Sequence, residues 1–181
     1  GLPIPLNAIQ ILWINLVTDG LPGLALGVEP SAPDTMQRPP HPPSESVLAR
    51  GLGTYVLWVG PLMGFISLIP ELLNSFTAVS YDKAVWSTMV FTTLALAQMG
   101  NALAIRSDRL TLLQLGIFSN PAMIGAVLLT FGLQMAVVYM PFLQNIFGTT
   151  ALSFGQLMLS LGLSMIVFIV VELVKMIRQR K

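Results

Sequence analysis

Cysteine is absent from the 181 residues, which closes off both a disulfide framework and any thiolate metal site. Histidine is nearly absent: His41 is alone, set between prolines, and reads as a loop residue rather than a metal ligand. Charge is scarce as well. Asp, Glu, Lys and Arg make up 9% of the chain, against about 25% in an ordinary soluble domain. The net charge of +1 is uninformative as a total, though the placement of the charges is not, and no nucleic-acid partner is expected. The opening Gly1-Leu2-Pro3-Ile4-Pro5 lacks a basic segment, a small-residue cleavage site and an initiating Met, so no signal peptide is read there and the sequence is expected to be a fragment.

What fills the chain is hydrocarbon, with 54% hydrophobic residues and a mean hydropathy of +0.77. The apolar runs predict an all-α membrane protein in which one domain, 1–181, forms a bundle of five transmembrane helices. Their spans are approximately 6–28, 51–73, 84–104, 121–140 and 154–176. Between the first two, Glu29 to Arg50 carries prolines at 30, 33, 39, 40, 42 and 43, which forbid a continuous helix and leave an extended connector. That connector suits a stiff linker and a docking strip for a soluble domain equally well. Gly60 and Gly64 form a G-x-x-x-G pair that admits close approach of another helix. Ile105 to Asn120 reads as an interfacial amphipathic piece ending at an N-cap, Asn120, followed by Pro121 in the first turn. Pro141 to Ser153 reads as a polar turn. Glu172, near Lys175 and Arg178, reads as interfacial, and the ten methionines as packing residues.

Five spans put the termini on opposite sides of a membrane. Arg38, Arg50, Arg106, Arg109, Lys175, Arg178, Arg180 and Lys181 fall on one side and Lys83 on the other. The positive-inside rule then makes the N-terminus outside or lumenal and the C-terminus cytoplasmic.

Leu6 to Val28 has Asp19 as its one charged member, close to the middle of the run. An ionised Asp at that depth costs about 2.5 to 3.5 kcal/mol on insertion scales, so it should face protein, water or a cation rather than lipid. At about 100° per residue, Asn15, Thr18 and Asp19 fall within about 100° of one helix face. All three offer oxygen, which suits a hard cation such as Ca²⁺, Mg²⁺, Mn²⁺ or an alkali ion. The helix is expected to be interrupted near Gly20–Pro22, because the glycines weaken it and Pro22 has no N–H for the Thr18 carbonyl. Ion coordination at a broken helix is one reading of this wedge; hydrogen bonding to neighbouring helices is the other. Gln98 and Asn101, three residues apart, form a second polar patch at membrane depth.

The run Leu12-Trp13-Ile14-Asn15-Leu16-Val17-Thr18-Asp19-Gly20-Leu21-Pro22, with Ala25-Leu26-Gly27 and Met36-Gln37-Arg38-Pro39-Pro40 after it, resembles the sixth transmembrane helix and following loop of calcium-transporting P-type ATPases of the sarcoplasmic-reticulum type. Gln98-Met99-Gly100-Asn101-Ala102-Leu103 resembles the eighth helix, and five spans correspond to helices six to ten, the C-terminal cation-transporting ATPase domain. The resemblance implies that Asn15, Thr18 and Asp19 bind Ca²⁺ as the transported ion, with Asp19 bridging two sites in two-site members. Those members carry Glu where this chain has Gln98, so Gln98 is a further candidate ligand of altered charge.

The resemblance also implies what must lie elsewhere: the phosphorylated Asp of a D-K-T-G motif, the domains that use ATP and Mg²⁺, and helices one to five. The partners implied are those helices, the cytoplasmic domains and the lipid bilayer. Asp82-Lys83-Ala84 is not the phosphorylation motif, so ATP hydrolysis is expected of the parent protein alone. A Mn²⁺ or monovalent-cation pump, or a non-catalytic membrane scaffold, are the alternative readings.

Overall fold

A computed structural model describes residues 4–31, 42, 46, 48–49, 51–76, 82–107 and 110–179. Most of the proline-rich connector, together with Arg109, Arg180 and Lys181, lies outside them. The described residues are helical, in the order α1 (Ala8–Trp13), a π-helical turn (Ile14–Thr18), α2 (Gly20–Leu26), α3 (Leu52–Phe76), α4 (Lys83–Ala104), α5 (Leu112–Leu115), α6 (Pro121–Tyr139), α7 (Pro141–Phe147) and α8 (Phe154–Gln179).

Four helical stretches are long and apolar enough to cross a membrane: Ala8–Leu26, Leu52–Ser75, Pro121–Tyr139 and Phe154–Gln179. The expected span at 84–104 is a helix of matching length, but it does not reach that apolarity. Its position explains why. α4 is the centre of the bundle, packed chiefly against α8 and α3 and also against α6, with most of its residues from Trp86 to Met99 buried. A helix sheathed in protein can carry Thr88, Thr92 and Thr93 because no lipid reaches them. One core joins Val59, Met63 and Ile66 of α3 to Ala97 and Ala104 of α4 and to Leu163, Val167 and Val171 of α8.

The bundle's small-residue contact differs from the expected one. A Cβ added at Gly60 or Gly64 would meet no atom within 4 Å, whereas one at Gly100 would lie 3.4 Å from Cβ of Phe168. Among the described residues, the close approach is therefore between α4 and α8, and none is made at the G-x-x-x-G pair.

Two connecting segments also depart from the sequence reading. Ile105 to Asn120 is not one amphipathic piece: α5 is followed by Gly116 at φ 90° and a 3₁₀ turn, Ile117–Ser119. Pro141–Ser153 is not a turn throughout, since α7 starts on Pro141 and stops at Gly148, which takes the left-handed conformation at φ 63°. The expected cap at Asn120 is present, with Oδ1 accepting from Met123 N–H at 2.9 Å.

α7 fixes the start of the first span. Asn7 and Gln10 form a capping box, Asn7 Oδ1 accepting from the Gln10 N–H at 2.8 Å and Gln10 Oε1 from the Asn7 N–H at 3.1 Å. Their side-chain amides both donate to the carbonyl of Phe147, at 2.7 and 3.1 Å. Trp13 stacks edge-on against Phe147, 5.0 Å between centroids, and donates from Nε1 to Gln134 Oε1 of α6 at 3.0 Å. The residue just before the π turn is thus held from two sides.

Candidate cation site

The first span breaks slightly ahead of Gly20–Pro22. Asp19 N–H reaches the carbonyl of Ile14 at 3.0 Å, a five-residue step, and α-helical bonding is resumed by Gly23 N–H on the Asp19 carbonyl at 2.9 Å. The cause is Pro22. It offers Thr18 no N–H and its ring crowds that carbonyl, and a widened turn just upstream accommodates the ring without ending the helix.

Widening the turn also redistributes the polar residues. Each residue of a π turn rotates less about the axis than in an α-helix, so Asn15 and Thr18 move apart. Thr18 is 1% exposed, whereas Asn15 and Asp19 lie at exposed positions. The single face expected for Asn15, Thr18 and Asp19 is therefore split, and Asn15 is turned away.

Thr18 and Asp19 instead meet α4. A cavity of about 260 Å³ is lined by both residues, by Gln98 and Asn101, and by apolar walls that include Met63 and Leu26. Thr18 Oγ1 and Gln98 Oε1 are buried there without a hydrogen-bond partner. A buried oxygen left unsatisfied costs about 1 to 3 kcal/mol, which a bound cation or its water would relieve. No three Asp, Glu, His or Cys converge among the described residues. The donor set at the cavity is accordingly one carboxylate with neutral amide and hydroxyl oxygens, suited to a hard cation.

Asn101 belongs to the cavity although it stands outside the expected ligand set, and its three-residue spacing from Gln98 is the signal for it. Tyr55 of α3, whose hydroxyl donates to Asn101 Oδ1, gave no such signal.

Two ion pairs brace the ends of these helices. Glu29, just past α2, binds Arg106, just past α4, with Arg106 Nη2 2.8 Å from Oε1. Asn120 Nδ2 adds bonds to Glu29 Oε2 at 2.6 Å and to the carbonyl of Ala25 at 3.1 Å. Burial raises the Glu29 carboxyl, but the hydrogen bonds from Arg106 and Asn120 and the guanidinium charge outweigh it and hold the group below its ordinary value. In α8, Lys175 Nζ lies 2.8 Å from Glu172 Oε1 and also donates to the carbonyl of Ala104, while Glu172 Oε2 accepts from Leu112 N–H at 2.8 Å. Glu172 is buried within the protein, its expected pairing with Lys175 is present, and its second oxygen caps α5.

With that geometry in view, the chain matches the family described as "Cation transporting ATPase, C-terminus" over residues 3–177. It is 41% identical over 166 residues to a calcium-transporting ATPase of Bacillus subtilis, a match covering 92% of this chain and 18% of that protein. Calcium-transporting ATPase 1 of Yarrowia lipolytica is 38% identical over 178 residues, covering 95% of this chain and 18% of that protein. Calcium-transporting ATPase type 2C member 2 of Rattus norvegicus is 38% identical over 182 residues, with 97% and 18% covered. The chain thus spans less than a fifth of the length of these relatives.

Proposed function

The chain belongs to the cation-transporting ATPase C-terminal family, and on that premise we propose that it is the ion-binding and membrane-anchoring part of an ATP-driven Ca²⁺ pump that cycles through a phosphoenzyme. The observation that carries the reading is the cavity between α2 and α4. One carboxylate, Asp19, stands there beside two buried oxygens, Thr18 Oγ1 and Gln98 Oε1, that lack a protein partner. An ionised carboxylate within an apolar span is costly unless it is compensated, and a dehydrated cation compensates it.

Asn15 and Asp19 at exposed positions leave the ligand shell open on one side. Upstream helices of the full-length protein complete it, and its cytoplasmic domains supply ATP and Mg²⁺ chemistry. Residues Leu12 to Pro22 support a pump of the sarcoplasmic-reticulum type, while relatives named type 2C, at 38% identity, support that variety instead. The basic residues support a cytoplasmic C-terminus.

The deciding experiment is Asp19→Asn in the full-length protein. It removes the charge that offsets dehydration of a divalent ion, and Ca²⁺-dependent phosphorylation from ATP should be lost. Unchanged Ca²⁺ affinity in that variant would return the polar wedge to interhelical hydrogen bonding.

A further inference from the structure

Thr18, Gln98 and Asn101 bring neutral oxygens to the same cavity, but they are not equivalent. Thr18 Oγ1 and Gln98 Oε1 lack a hydrogen-bond partner. Asn101 Oδ1 accepts the hydroxyl of Tyr55, which reaches across from α3. The Tyr55 ring packs against the core shared by α3, α4 and α8, and rests edge-on against Trp58 with centroids 5.8 Å apart. It holds the amide from a fixed position.

A side-chain amide has one oxygen and one NH₂ group. The phenol engages one of the two lone pairs of that oxygen and aims it at Tyr55, which is not among the residues lining the cavity, so the terminal torsion is set with the oxygen directed toward α3 and the NH₂ group on the opposite side of the amide. Donor hydrogens repel a cation. Asn101 lies one turn from Gln98 on the same helix face, so the direction of its amide decides whether α4 contributes one oxygen or two.

Building on the reading of this cavity as a divalent-cation site, we propose that Tyr55 is a specificity-determining positioning residue: its hydrogen bond keeps the Asn101 oxygen out of the ion's shell and leaves Gln98 as the oxygen donor of α4. Ca²⁺ takes about six to eight oxygens in a flexible shell, whereas an octahedral set of six suits smaller ions such as Mn²⁺. Holding one oxygen back handicaps Ca²⁺ more than Mn²⁺, and releasing it favours Ca²⁺.

The test uses the full-length protein, with ATP hydrolysis titrated separately by Ca²⁺ and by Mn²⁺ in wild type, Tyr55→Phe, Asn101→Ala and the double variant. Tyr55→Phe should raise the ratio of half-activating Mn²⁺ to half-activating Ca²⁺ by about fivefold, the order of one hydrogen bond. Its maximal rate with Ca²⁺ should stay within about twofold of wild type. In the Asn101→Ala background the same substitution has no oxygen to release, and the ratio should move by less than about 1.5-fold. An unchanged ratio, an equal shift in both backgrounds, or a fall in maximal rate with no change in ratio overturns the proposal. A wild-type protein whose hydrolysis responds to neither ion overturns it too, and does so at the functional reading rather than at Tyr55.

Discussion

Arg106 grips Glu29 through two nitrogens, Nη2 at 2.8 Å from Oε1 and Nε at 3.0 Å from Oε2, tying the segment just past α2 to the segment just past α4. The π turn with α2 forms one wall of the cavity and α4 another. The pair therefore sets the separation of the walls, and Asn120, which binds Glu29 while capping α6, ties a third helix to the same point.

Breaking this contact should be costly and dependent on pH. Arg106→Ala removes one partner of a buried pair, for which losses of about 3 to 5 kcal/mol are typical, with the lower end expected because Glu29 retains some exposure. Glu29 titrates below its ordinary value of 4.5 in the folded protein, so its contribution is complete above pH 4.5 and is lost as pH falls through the lower folded value. Thermal denaturation in detergent micelles checks this. Glu29→Gln should be less stable than wild type at pH 7, and the gap should narrow below pH 4.5. A gap that stays constant across that range would mean that shape rather than charge is what Glu29 supplies.

Lys175 should be dispensable only together with Glu172. Lys175→Met leaves a buried carboxylate with its α5 contact but no counter-charge, a loss of about 3 kcal/mol. Adding Glu172→Leu should recover most of it, since replacing both members of a buried pair is often near neutral. If the double variant melts below Lys175→Met, the Glu172 cap on Leu112 outweighs the ion pair.

How much of this was legible in the sequence follows from how far each determinant reaches. Apolar runs and the Asn120–Pro121 cap are local, and they locate the helices within a few residues. The three-residue spacing of Gln98 and Asn101 is local too, and both residues line the cavity. Asn15 shows the limit of such reasoning: α-helical angles place it with Thr18, but the ring of Pro22 imposes a π turn that carries it away. Glu29 with Arg106 and Tyr55 with Asn101 are tertiary contacts between distant stretches of chain, and no local pattern announces them. α7 was hidden because seven residues are too few to show a period.

Topology is open to a direct check. The charge asymmetry predicts that tags in the proline-rich connector and at Lys181 report the cytoplasm, while tags near Asn74 and Asn145 report the opposite side. Arg106 and Lys175 are engaged inside the protein, so part of that asymmetry also does structural work. Finding Lys181 and Asn145 on the same side removes the five-span arrangement.

Stoichiometry turns on Gln98. Its amide can give a cation one oxygen but no charge, and Asp19 is the one carboxylate at the cavity. Two divalent ions a few ångströms apart in a low-dielectric site repel strongly, and a single carboxylate does not offset that repulsion. The better balanced arrangement is one Ca²⁺ beside Asp19 that takes neutral oxygens from Thr18 and Gln98, with upstream helices completing its shell. The full-length protein should therefore move one Ca²⁺ per ATP, with a Hill coefficient of about 1 for Ca²⁺ activation. Thr18→Ala, which deletes one neutral oxygen that water can replace, should weaken activation by no more than about tenfold, against the complete loss expected for Asp19→Asn. Gln98→Glu supplies the missing charge and should tighten Ca²⁺ activation if the second position is shaped for an ion. Equilibrium binding of two Ca²⁺ per phosphorylatable protein, with cooperative activation, would show that the amide at Gln98 suffices and that charge balance is not what limits the count.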